Sequence, residues 1–138
     1  MKNYFTAWLL IAIGTLAISG EGRAATASEQ YMLSELCGKR SGEYWLEEKK
    51  GIPLNAISRY TNHYNLKDNK CYFVMKYAAQ LTNKTTIASM TVFNLNDHKI
   101  IAGYASLGEG KTNMCEVLDK QCSSAAEWEK LVQPYLDD

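Results

Sequence analysis

Between Ser58 and Leu107 the chain is interrupted three times by short polar stretches, at Asp68-Asn69, Asn83-Lys84 and Asn96-Asp97. Asparagine and aspartate tolerate the left-handed backbone that tight reversals need. The runs between them, 58–66, 70–81, 86–95 and 98–107, are rich in β-branched and aromatic residues that suit a pleated surface. Connections this short join antiparallel neighbours, because parallel pairing needs a crossover of a dozen or more residues. The pattern predicts a four-stranded antiparallel meander.

Alternation of side chains then assigns faces. A two-residue turn at 68–69 sets Leu66 opposite Cys71, Tyr64 opposite Phe73 and Tyr60 opposite Tyr77. Carried through the next two turns, the register gathers Met75, Ala79, Leu81, Ala88, Met90, Val92, Ile101, Ala105 and Leu107 on the face of Cys71. The opposite face receives Thr61, His63, Asn65, Tyr72, Val74, Lys76, Ser89, Thr91, Phe93, Ile100 and Tyr104, a mixed, partly open surface. One odd-length loop would reverse every later strand.

Two helices flank the meander. Residues 28–50 carry Leu33, Leu36, Cys37, Arg40 and Tyr44 at helical spacing, and Gly51 and Pro53 end the run. Gly38 and Gly42 lie inside it, either admitting close approach to the sheet or splitting the helix. At the other end, Ser124 and Glu127 have capping-box spacing, Trp128, Leu131, Val132 and Tyr135 form an apolar stripe, and Pro134 kinks or ends the helix. The expected fold is α+β, with the N-terminal and C-terminal helices packed on one face of the four-stranded meander and two disulfides.

The first residues set the compartment. Lys2 precedes an apolar run from Trp8 to Ile18, and small residues follow, with cleavage expected after Ala24 or Ala27. This is the form of a secretory signal peptide over 1–27, leaving a single small domain over 28–138. The alternative, an uncleaved anchor, has an apolar run short of the roughly 20 residues a span needs. The four cysteines all lie beyond the leader, and an even count in a small exported domain reads as a disulfide framework. Cys71 is on the face the first helix must cover and Cys37 on that helix's stripe, so Cys37–Cys71 is expected, with Cys115–Cys122 across a short loop. Zinc ligation would need closer cysteine pairs than these. The expected compartment is the periplasm or the exterior, with no membrane contact once the leader is removed.

Composition narrows the function classes. With 15 basic and 15 acidic residues and no charge block, the chain does not resemble a nucleic-acid scaffold. It has no phosphate loop, nucleophile elbow or zinc-protease motif, so neither a cofactor nor a metal is expected. Gly108 to Asn113 contains Gly-Lys-Thr without the earlier glycine of a phosphate loop and reads as a connection. Asn83 opens a glycosylation sequon that matters only in a eukaryotic pathway. His63 is one of two histidines and has three readings: a hairpin-fixing side chain, a ligand contact, or a general base lacking evident partners. The abundant tyrosines suit strands and also suit interfaces.

The segment holding Tyr60, His63, Tyr64, Asn65, Lys67, Lys70, Cys71 and Tyr72 resembles a Tyr-x-x-His-Tyr-Asn…Lys-Cys segment of uncharacterised exported bacterial proteins. Cys37 answers their earlier helical cysteine, and Met114 to Tyr135 answers their late region. The resemblance implies a cell-envelope protein and transfers no catalytic residue. The expected function is a non-enzymatic periplasmic protein that binds or inhibits an envelope or incoming protein. His63, Asn65, Tyr72, Lys76 and Tyr104 are the candidate contact residues. A small enzyme using His63 and a structural envelope accessory are the alternatives.

Overall fold

The computed structural model describes residues 25–81, 84–108 and 110–137. The expected leader up to Ala24, and the turn and sequon residue Asn83, lie outside them. Helix α1 (Ala27–Glu48) opens with a reciprocal capping box. The Thr26 hydroxyl accepts the Glu29 N–H at 3.3 Å, and the Glu29 carboxylate accepts the Thr26 N–H at 2.6 Å. The helix runs unbroken through Gly38 and Gly42, which lie over Asn62 and Tyr60. It tightens into a 3-10 turn at Lys49–Gly51. Leu36 does not share the buried stripe; it is 52% exposed.

Six strands follow in a simple meander: β1 (Ile57–Asn65), β2 (Lys70–Gln80), β3 (Thr86–Asn94), β4 (Lys99–Leu107), β5 (Lys111–Val117) and β6 (Lys120–Gln121). Helix α2 (Ala125–Leu136) closes the fold. The last two strands are absent from the sequence expectation because only Cys115 and Val117 of β5 are buried, too few for a strand signature.

The register departs from the expectation in three places. The β1–β2 connection is four residues, so Tyr64 faces Cys71 and Tyr60 faces Met75. That shift is even and keeps the faces. The β2–β3 connection, residues 81–85, is odd in length, so Val92 faces Val74 and Met90 faces Lys76. Ala88, Met90 and Val92 therefore join the face of Tyr72, while Ser89, Thr91 and Phe93 join that of Cys71. A bulge between Val92 and Phe93 reverses the sense again in β4. Ala105 and Leu107 thereby return to the Cys71 face as expected, whereas Ile100 and Ile101 exchange places.

This reversal corrects the layer order. Because β3 gives its aliphatic residues to one face and Phe93 to the other, each face has a core, and the helices lie on opposite faces. On the first, Cys37, Tyr64, Cys71, Phe73 and Leu95 cluster beneath α1, with Tyr44, Trp45, Tyr60 and Phe93 packed around them. On the second, Tyr72, Val74, Val92, Ala102, Tyr104 and Val117 cluster beneath Trp128 and Val132 of α2. Both expected disulfides are present, Cys37–Cys71 and Cys115–Cys122. The first ties α1 to the sheet; the second ties β5 to the segment entering α2. Ser124 caps α2 through the Glu127 N–H at 3.2 Å, while the Glu127 carboxylate accepts from Ser123 rather than from the cap residue. Pro134 does not end the helix, which continues to Leu136.

Candidate binding site

The five residues singled out from the sequence all lie on the second face, but α2 divides them. Asn65, Tyr72 and Tyr104 are buried at 1%, 2% and 7% exposure. The polar atoms of Asn65 and Tyr72 serve the fold. Asn65 Nδ2 donates to the carbonyls of Pro134 and Asp137 at 3.1 and 3.2 Å, anchoring the end of α2. Asn65 Oδ1 accepts the N–H groups of Lys67 and Asp68 at 2.9 and 3.2 Å, shaping the β1–β2 turn. Tyr72 donates to Asp68, and burial, followed by that hydrogen bond, pushes its phenol well above the usual tyrosine range. His63 is half-buried opposite Tyr72 in the same row.

The neighbouring β3–β4 turn repeats this construction. Asn94-Leu95-Asn96-Asp97-His98-Lys99 matches Asn65-Leu66-Lys67-Asp68-Asn69-Lys70 in its Asn-Leu-x-Asp-x-Lys frame. Asn94 Oδ1 accepts the N–H groups of Asn96 and Asp97 at 2.9 and 3.3 Å. Asn69 and His98, at equivalent positions, take φ of 58° and 52°. The turns are linked: Lys70 Nζ donates to Asp97 at 2.9 Å, and Asn96 Oδ1 accepts the Cys71 N–H at 2.8 Å. The Lys70 hydrogen bond holds the Asp97 carboxyl below its ordinary range. At this end of the sheet Asp68, Lys70 and Asp97 are thus already engaged with one another's turns.

Lys76 lies elsewhere, beyond the reach of α2. It stands directly opposite Arg59 on β1 and beside Met90 on β3. With Ile57, Ala78 and Ala88 these residues line an open groove of about 390 Å³. Two cations directly opposite on one face of an antiparallel pair repel each other. The strand neighbours on that face, Ile57, Thr61, Val74, Ala78 and Met90, carry no charge. Among the described residues neither cation takes part in an ion pair. The groove thus combines an apolar floor with an unbalanced positive charge.

Two other concavities lack this combination. One, between α1 and the β3–β4 turn, has Arg40 with Glu43 and Glu47, and Arg40 already donates to the Leu95 carbonyl at 2.7 Å. The other, over β4 and β5 on the first face, has Ile100, Met114 and Leu118 around Gly103, with Glu116 as its one charged side chain. No group of acidic, histidine or cysteine side chains able to hold a metal occurs among the described residues.

Arg59 escaped the sequence analysis, although alternation from His63 assigns it to the same face. The two-residue turn put Thr61, not Arg59, opposite Lys76, so the like-charge pair was hidden. Compared with protein-family models, curated proteins and solved structures, the chain matches none.

Proposed function

We propose that the chain is an exported, non-enzymatic binding protein of the cell envelope that takes an acidic partner protein at the Arg59–Lys76 groove. The single observation behind this reading is the like-charge pair, whose strand neighbours carry no charge and which takes part in no ion pair among the described residues. A negatively charged partner relieves that repulsion and gains charge-assisted hydrogen bonds. The apolar floor of Ile57, Ala78, Ala88 and Met90 supplies area to bury. Of the five sequence candidates, Lys76 lines this groove, whereas Tyr72 and Tyr104 pack in the core against α2 and Asn65 holds the end of that helix.

Export accords with the pairing of all four cysteines, a state suited to an oxidising compartment. No helix among the described residues is long and apolar enough to cross a membrane. Cleavage after Ala24 is the better of the two expected positions, because cleavage after Ala27 would remove Thr26 and with it the α1 capping box. Intact mass of the exported protein is expected to place its first residue at Ala25; a chain beginning at Ser28 contradicts this.

The binding reading is tested by capture from envelope extract. Immobilised protein is expected to retain an acidic partner at low ionic strength and release it as salt rises. The Arg59→Glu/Lys76→Glu variant, with an unchanged melting temperature, is expected to retain nothing. Equal capture by that folded variant contradicts the proposal.

A further inference from the structure

The groove lies beside a strand edge that has little of the usual protection. β1 is the outermost strand, and no strand lies beyond it among the described residues. Its pairing with β2 runs from Ile57 to Asn65 without a bulge. It contains no proline, lysine, aspartate or glutamate, and Arg59 is its one arginine. Natural sheets blunt such edges with charges, prolines, bulges or covering segments.

The opposite edge of this same sheet is managed in that way. β5 meets β4 through a bulge between Ala105 and Ser106. It is fastened by the Cys115–Cys122 disulfide, by the Cys122 N–H donating to the Cys115 carbonyl at 3.0 Å, and by the Thr112 hydroxyl donating to the Ser123 carbonyl at 3.0 Å. The far end of β1 is also closed, since Asn65 holds the end of α2. The open part is Ile57 to Thr61, about 17 Å of strand at 3.4 Å per residue.

We infer that the acidic partner enters as an extended segment that adds to the sheet along the Ile57–Thr61 edge of β1, an inference that rests on the proposed function. Strand addition satisfies the outward backbone groups of β1, and alternate side chains of the incoming strand fall on the groove face. A carboxylate then lies beside Arg59 and within reach of Lys76, and an apolar side chain two positions away lies beside Ile57, which is 78% exposed. The recognised segment has an acidic residue separated by one residue from an aliphatic one. A second copy of this chain is the wrong occupant. Antiparallel pairing of two β1 edges brings the cations of both copies to one face of the joined sheet, where they repel.

The test uses an acetylated and amidated seven-residue peptide with threonine at the odd positions, isoleucine at the second and sixth, and glutamate at the fourth. Titration at low salt is expected to give saturable binding. Replacing the glutamate by lysine, methylating the three central backbone nitrogens, or using the Arg59→Glu/Lys76→Glu protein is each expected to weaken binding at least about tenfold. An N-methylated peptide that binds as tightly as its parent overturns strand addition while leaving the acidic-partner reading standing. Equal binding of the glutamate peptide to the charge-reversed protein overturns that reading too. A parent peptide that does not bind overturns strand addition, and a dimer formed by the protein alone and lost in Arg59→Asp overturns the choice of occupant.

Discussion

At the scale of single residues, Trp128 carries the most packing weight on the second face. It is 1% exposed beneath the sheet, and its indole N–H has no hydrogen-bond partner among the described residues. Trp128→Ala is expected to cost about 3–5 kcal/mol through the cavity it leaves. Trp128→Phe is expected to cost less than about half of that, because the unsatisfied N–H disappears with the ring. Exposed Glu129→Ala is expected to change stability by less than about 0.5 kcal/mol. Urea melts that rank the three otherwise contradict the docking of α2. The half-buried Tyr44 and the buried Tyr72 give a pH signature. Burial, and then the charge of Glu48, push Tyr44 up to about 12, and Tyr72 is pushed higher still. Their contribution to stability is fully present below the ordinary tyrosine value near 10 and is lost as pH rises through the folded values. Tyrosinate absorbance in the native protein is expected to show late-ionising groups, Tyr44, Tyr72 and the likewise raised Tyr64, and the first two of these are expected to disappear from the titration in Tyr44→Phe/Tyr72→Phe. Ordinary titration of every tyrosine in the wild-type protein contradicts these placements.

At the scale of elements, the two disulfides do unequal work. In the chain-entropy description the Cys37–Cys71 link, with a sequence separation of 34, contributes about 3–4 kcal/mol, and Cys115–Cys122, with a separation of 7, about 2 kcal/mol. Cys37→Ser/Cys71→Ser is therefore expected to lower the urea midpoint more than Cys115→Ser/Cys122→Ser, and the reverse order contradicts this. Both pairings were legible in the sequence, because Cys71 and Cys37 fall where alternation and helical spacing put them on facing surfaces. The hairpin positions were legible too, from Asp68-Asn69 and Asn96-Asp97. Loop lengths were not. Asn65 and Asn94 extend their turns by capping two backbone N–H groups each, a tertiary use of side chains that a turn signal does not reveal. The odd count in 81–85 and the bulge at Val92/Phe93 are differences of one residue, and one residue is enough to move a strand's apolar set across the sheet.

At the scale of the whole molecule, those one-residue differences decide where surface is left over. With both helices on one face, the other face would be open around His63. With a helix on each, α2 seals Tyr72, Tyr104 and Asn65, and the open part moves to Ile57, Arg59 and Lys76. Of the candidate site the sequence therefore gave access to the face and to Lys76, while Arg59 became visible only with the true register. The partner is proposed to sit on this uncovered strip beside β1. Amide chemical shifts of the folded protein, followed during titration with the glutamate-bearing peptide, test it most directly. The expected result is shifts confined to Ile57, Arg59, Lys76, Ala78, Ala88 and Met90 and the residues adjoining them. Shifts centred instead on α1, on the paired turns at 66–69 and 95–98, or spread without a centre contradict the account.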